Sequence, residues 1–200
     1  MLKAKCRRCK KKISSQYFIV ELISGFCTFY IYQNYQIFIE MIFLQIIILT
    51  LIIIFFIDLK HFIIPNSLNY LLIFLAFLKN FFPSETLNLE FNVLNSVGGG
   101  LLGFLIIYSI IFLYKKYKNV EAMGIGDAKY LAAIGLFFGW KSVFLVLFIA
   151  SIIALIFVTP SLMKKSKGLY SEIPFGPYLV ISTIIYFLFS DVLLSFWVII

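Results

Sequence analysis

The stretch "IFIEMIFLQIIILTLIIIFFI", residues 37–57, contains a single charged side chain, Glu40. About 20 mainly apolar residues is the length at which a helix crosses a bilayer. In hydrocarbon every backbone N–H and C=O must be paired within the protein, which leaves helices and closed barrels as spanning structures. Similar apolar runs occur at roughly 17–32, 67–82, 93–114, 128–139, 141–160 and 177–199, making seven in all. The first, third and fifth are the shortest, and only "FFGWKS" separates the fifth from the sixth. The expected fold class is therefore all-α, a polytopic membrane bundle of about 6–7 transmembrane helices. Composition agrees: 62% of residues are hydrophobic and 13% charged, where a soluble domain has about a quarter of its residues charged.

The net charge of +8 does not require nucleic acid as a partner, because topology accounts for it. With a cytoplasmic N-terminus, the inner segments are 1–16, 58–66, 115–129 and 161–176. They hold seven, one, four and three Lys plus Arg, 15 of the chain's 17. The outer loops hold Lys79 and Lys141, and one of them, "PSETLNLE", is acidic. The positive-inside rule then places the N-terminus in the cytoplasm, and the expected location is the cytoplasmic (inner) membrane. The basic start followed by "YFIVELISGFCTFYIY" imitates a signal peptide, but Glu21 interrupts the apolar part and Phe26 precedes Cys27 where a lipoprotein box needs a small residue. It reads as a retained helix. The organisation expected is a cytoplasmic basic segment, 1–16, and a membrane-embedded domain, 17–200.

Two acids stand out. Asp58 closes the second run in "FFIDLKHFIIPN", and Asp127 opens the fifth in "MGIGDAKYLAAIGLFFGW". Counting spans puts both at the cytoplasmic end of the membrane. Taken singly, each feature has a plain explanation. Asp127 suits the positive end of a helix dipole, Gly124 and Gly126 suit a turn, and Pro65 breaks the chain between two helices. Taken together they suit chemistry. Two carboxylates that approach closely do not both ionise easily, so one keeps its proton. The ionised partner can take a proton from water while the other polarises a carbonyl, and glycines at 124 and 126 let a substrate backbone come near. Two other readings stay open on the residues: a proton-coupled transporter that uses the pair as a relay, and a protease that uses the pair to cut inside a membrane helix.

The segments "DLKHFIIPN" and "MGIGDAKYLAAIGLFFGW" together resemble the signature of the type IV leader (prepilin) peptidase family, membrane aspartic proteases of the GxGD type. "CRRCKKKISSQYFIVELISG" is similar to the family's second cysteine pair and the helix after it, and "EIPFGPYLVIS" to its C-terminal motif. GxGD alone is shared with presenilin-type proteases; the ordered set is specific. The resemblance implies Asp58 and Asp127 as the catalytic pair, and prepilins or pseudopilins of pilus and type II secretion systems as substrates. It also implies cleavage on the cytoplasmic side after a glycine. Gly124, Gly126, Pro174, Phe175 and Gly176 are the candidate substrate-binding residues.

Many family members also methylate the new N-terminus with S-adenosylmethionine and carry two C-x-x-C pairs resembling a zinc site. Only Cys6 and Cys9 stand here, while structural zinc takes four ligands, so the pair reads as an inert remnant or as half of a zinc site completed by a second chain. No metal and no cofactor are expected. The short start suits either a peptidase-only form or a chain with further sequence upstream. The remaining polar residues read plainly: His61 as solvated loop, Lys129 as an anchor to lipid heads, and Glu21 as support for the start of the first helix after Ser14 and Ser15. The oligomeric state is not set by the sequence.

Overall fold

The computed structural model describes residues 14–79, 93–119, 123–163 and 174–199. Cys6, Cys9, the acidic "PSETLNLE" segment and the basic residues 164–167 lie outside the described residues. Seven α-helices and no strand occur among those described: α1 Ser15–Asn34, α2 Phe38–His61, α3 Asn66–Lys79, α4 Val93–Lys118, α5 Ile125–Phe138, α6 Trp140–Met163 and α7 Gly176–Ile199. All seven expected segments are helical, and the all-α class holds. Phe189 breaks the helical dihedrals of α7 (φ −124°, ψ 23°) and bends it.

Two compact units divide the chain, Met1–Ile52 and Ile53–Ile200. In the first, Ser14 caps α1 by accepting the Gln16 N–H at 3.3 Å. Glu21 lies beyond the first turn and does not cap it, which corrects the role expected of it. Large apolar side chains such as Phe18, Leu22, Phe26 and Phe29 are exposed along α1, a surface suited to lipid rather than water.

The second unit is organised around α5. Its 14 residues span about 21 Å, short of a hydrocarbon core about 30 Å thick. Nine of the 14 are buried, so α5 is sheathed by protein and need not reach both interfaces. Crossing length and apolarity are met by three helical stretches among the described residues: Phe38–His61, Val93–Lys118 and Trp140–Thr159. The shorter Asn66–Lys79 and Gly176–Ser190 are also apolar.

Close packing of α4 on α5 comes from glycine. A Cβ on Gly103 would stand 2.5 Å from the Leu131 carbonyl oxygen, and one on Gly99 would strike the Gly135 carbonyl oxygen and stand 2.6 Å from the Gly139 carbonyl carbon. Gly99 and Gly103 are four residues apart, the small-residue spacing that lets membrane helices approach closely. Gly99→Ala is expected to lower stability by about 1–3 kcal/mol, read as an earlier unfolding midpoint in detergent. Gly98→Ala, with nothing within 4 Å of the added Cβ, is the matched control.

The "FFGWKS" break is a turn at one residue. Gly139 has φ +86°, a left-handed conformation open mainly to glycine. Its N–H donates to Gly135 O at 2.8 Å. Lys79 Nζ donates to Phe137 O at 2.6 Å, placing a cation at the negative end of the α5 dipole. Deeper in the unit, buried Tyr130 donates its hydroxyl to Thr183 Oγ1 at 3.0 Å and ties α5 to α7.

Candidate active site

Asp58 sits within the last turn of α2 rather than at its edge, because nothing in "DLKH" breaks the helix and Lys60 and His61 suit its negative end. The helix ends at Phe62 (φ +57°), whose N–H donates to Asp58 O at 2.9 Å. The chain then passes through buried Ile64 to Pro65, whose carbonyl accepts the Leu68 and Asn69 N–H groups at 3.2 Å each and starts α3.

Asp127 occupies the first turn of α5. Its N–H donates to Gly124 O at 3.1 Å, and its Oδ2 accepts the Gly124 N–H at 3.2 Å. The plain reading of a helix-start acid is thus true of Asp127, but it does not exhaust the residue. Asp58 and Asp127 are both buried and lie within electrostatic reach of each other.

A third helix end completes the arrangement. The Gly176 N–H, at the start of α7, faces the Asp58 carboxylate. A Cβ on Gly176 would stand 2.6 Å from Asp58 Oδ2 and 3.1 Å from Ile64 Cδ1. A Cβ on Gly126 would stand 3.1 Å from both Cβ and O of Ile64. Ile64 therefore packs tightly against the starts of both α5 and α7, where a side chain at 126 or 176 would crowd it. Asp127 stands in the first turn of α5, and Asp58, at the C-terminal end of α2, faces the first amide of α7; positive dipole ends and free amides at helix starts favour negative charge. Asp58 Oδ2 is buried and receives no hydrogen bond from the described residues.

Of the candidate residues, Asp58, Asp127, Gly124, Gly126 and Gly176 come together. Pro174 and Phe175, both half-buried, form the turn into α7, with Phe175 O accepting from Tyr178 and Leu179 N–H at 3.1 and 3.2 Å. His61 is exposed, in keeping with the sequence reading. Lys129 is not a free lipid anchor: its Nζ donates to Asn66 Oδ1 at 2.7 Å and to Tyr70 Oη at 3.2 Å. Asn69 was missed altogether. It is buried, and its Nδ2 donates to Gly126 O at 3.0 Å. The signal for it was present, since Asn66, Asn69 and Tyr70 are polar residues at helical spacing in an apolar helix. No group of three His, Cys, Asp or Glu side chains that could hold a metal occurs among the described residues.

These features define a polytopic helical membrane protein with a buried carboxylate pair set among helix N-termini and close-packed glycines. The type IV leader peptidase family matches residues 45–159, a span that includes both aspartates, and the bacterial peptidase A24 N-terminal domain matches residues 1–35. The chain belongs to the type IV leader peptidase family. It is 35% identical over 187 residues to the prepilin leader peptidase/N-methyltransferase of Vibrio cholerae serotype O1, covering 94% of this chain and 71% of that protein. The proteins of that name from Stutzerimonas stutzeri and Pseudomonas aeruginosa are 29% and 28% identical, each match covering 95% of this chain and 64% of the relative. The chain thus spans somewhat under two thirds of the length of those two relatives. No solved structure matches significantly.

Proposed function

We propose that this protein is a membrane aspartic endopeptidase that removes the short basic leader from type IV prepilins or pseudopilins. The observation that carries the reading is the buried pair Asp58 and Asp127 beside the glycine-lined starts of α5 and α7, in a chain of the leader peptidase family. One carboxylate takes a proton from water, and the resulting hydroxide attacks the scissile carbonyl. The other carboxyl gives its proton to the carbonyl oxygen. Collapse of the tetrahedral intermediate then breaks the C–N bond, with the amine leaving protonated. Asp58 Oδ2, which no group of the described chain bonds, is the oxygen assigned to the water. Gly176 keeps side-chain bulk away from Asp58 and Gly126 leaves room for Ile64 beside it, and the Pro174–Phe175 turn borders the extended substrate.

The charge distribution of the loops supports a cytoplasmic N-terminus and a site at the cytoplasmic face of the inner membrane, where a basic leader would also remain. Both acids lie in terminal turns of their helices, which favours hydrolysis over transport, since transporters place such groups near the bilayer midplane. The reading is tested by co-reconstituting the protein with a prepilin and determining the product N-terminus by mass spectrometry. A cut after the leader glycine at the edge of the apolar segment is expected, and the product mass also reads whether a methyl group has been added. A cut within the apolar run would instead mark an intramembrane protease, and no cut in several prepilins by folded protein would refute the reading.

A further inference from the structure

The first turn of α5 is built from weak parts. Its N-cap is Gly124, which has no side chain to bond the open amides, and Gly126 adds backbone freedom just before Asp127. Three side chains of α3 reach across to this turn. Asn69 Nδ2 holds Gly126 O at 3.0 Å, before Asp127. Asn66 Oδ1 and Tyr70 Oη hold Lys129 Nζ at 2.7 and 3.2 Å, after it. Lys129 also lies 5.0 Å from the centroid of the Tyr70 ring. Asn66, Asn69 and Tyr70 share one face of α3, at i, i+3 and i+4.

We propose that Asn69 and Lys129 are positioning residues, a two-point clamp that fastens the first turn of α5 to α3 on both sides of Asp127 and so sets where its carboxylate stands relative to Asp58. The proposal rests on the two-aspartate reading for its effect on rate. Asn69 itself argues for placement rather than stability. It is fully buried, and its Oδ1 has no hydrogen-bond partner among the described residues. An unsatisfied buried acceptor is unfavourable, and a leucine of similar shape would fill the place without one. Lys129, for its part, bonds neutral oxygens of α3, so its contribution is to hold a helix in place.

Asn69→Leu in the full-length protein, in proteoliposomes, is the first variant. The expected result is an unfolding midpoint at or above that of wild type and a kcat lower by about tenfold to a hundredfold with KM little changed, the signature of a displaced catalytic group. Lys129→Met, at a half-buried position, should lower kcat by about tenfold, and Lys129→Arg, which keeps the donors, should restore most of it. Hydrogen exchange at residues 125–129 reads the clamp without reference to cleavage and should quicken in Asn69→Leu and Lys129→Met. Wild-type kcat in Asn69→Leu, or a loss that follows a lowered midpoint, would overturn the proposal. Active wild type with unchanged exchange in both variants would overturn the clamp alone. Quickened exchange in the two variants, with a folded wild type that cuts no prepilin, would uphold the clamp and sink the peptidase reading.

Discussion

Asp127→Asn is expected to abolish leader cleavage, with kcat lower by about a thousandfold or more, the scale of a lost general acid or base. The change is nearly isosteric. The replacing amide can still accept the Gly124 N–H that Asp127 Oδ2 now accepts at 3.2 Å, so the start of α5 keeps its cap. The buried environment loses a titratable group and gains a neutral one, which removes proton exchange without adding an uncompensated charge. Asp58→Asn should behave alike, because the mechanism needs both acids and neither can serve as water activator and carbonyl acid at once. The measurement is single-turnover cleavage in proteoliposomes, with unfolding midpoints of all three proteins recorded in the same detergent. Substantial turnover by either variant would exclude the two-aspartate mechanism. Loss of activity with loss of folding in both would show the pair to be structural.

Gly176→Ala should lower kcat by about a hundredfold while the protein still inserts and folds. The added Cβ would sit 2.6 Å from Asp58 Oδ2, inside the distance at which something must move, and a tight 3.1 Å from Ile64 Cδ1. Two groups can give way: the start of α7, or the Asp58 carboxylate. Either movement separates Asp58 from the Gly176 amide that faces it, and a displacement of about 1 Å in a reacting group can cost about a hundredfold in rate. The expected pattern is a fall in kcat with KM much less affected, and the comparison with Gly98→Ala separates this local effect from any general cost of alanine in these helices. Full activity in Gly176→Ala would mean that α7 does not close on Asp58 in the working enzyme.

Much of this protein is set by local chemistry and was therefore legible in the chain. Apolar runs of bilayer length force helices wherever they occur, so the all-α class and the seven segments followed from composition along the chain. The acids Asp58 and Asp127 stood out because an ionisable group beside apolar helices is costly, and counting spans gave the expectation that they share one end of the bundle. The short α5 was harder. Hydropathy does not distinguish a helix facing lipid from one sheathed by protein, and only packing shows that Gly99 and Gly103 admit it to the interior.

The tertiary structure alone decided the long-range pairings. Gly176 lies 118 residues from Asp58, and no local rule brings the start of α7 to that carboxylate. Lys129 looked like a lipid anchor because a lysine near a membrane surface usually is one, whereas three-dimensional packing delivers Asn66 and Tyr70 to it. Asn69 gave a faint signal, a polar residue in an apolar helix, but its partner is a backbone carbonyl, and carbonyls leave no mark in a sequence. Helix formation needs only neighbours along the chain, so the residues alone determined the helices and their acids. Which helix ends meet depends on shape-matched packing among distant segments, and that was decided by the fold.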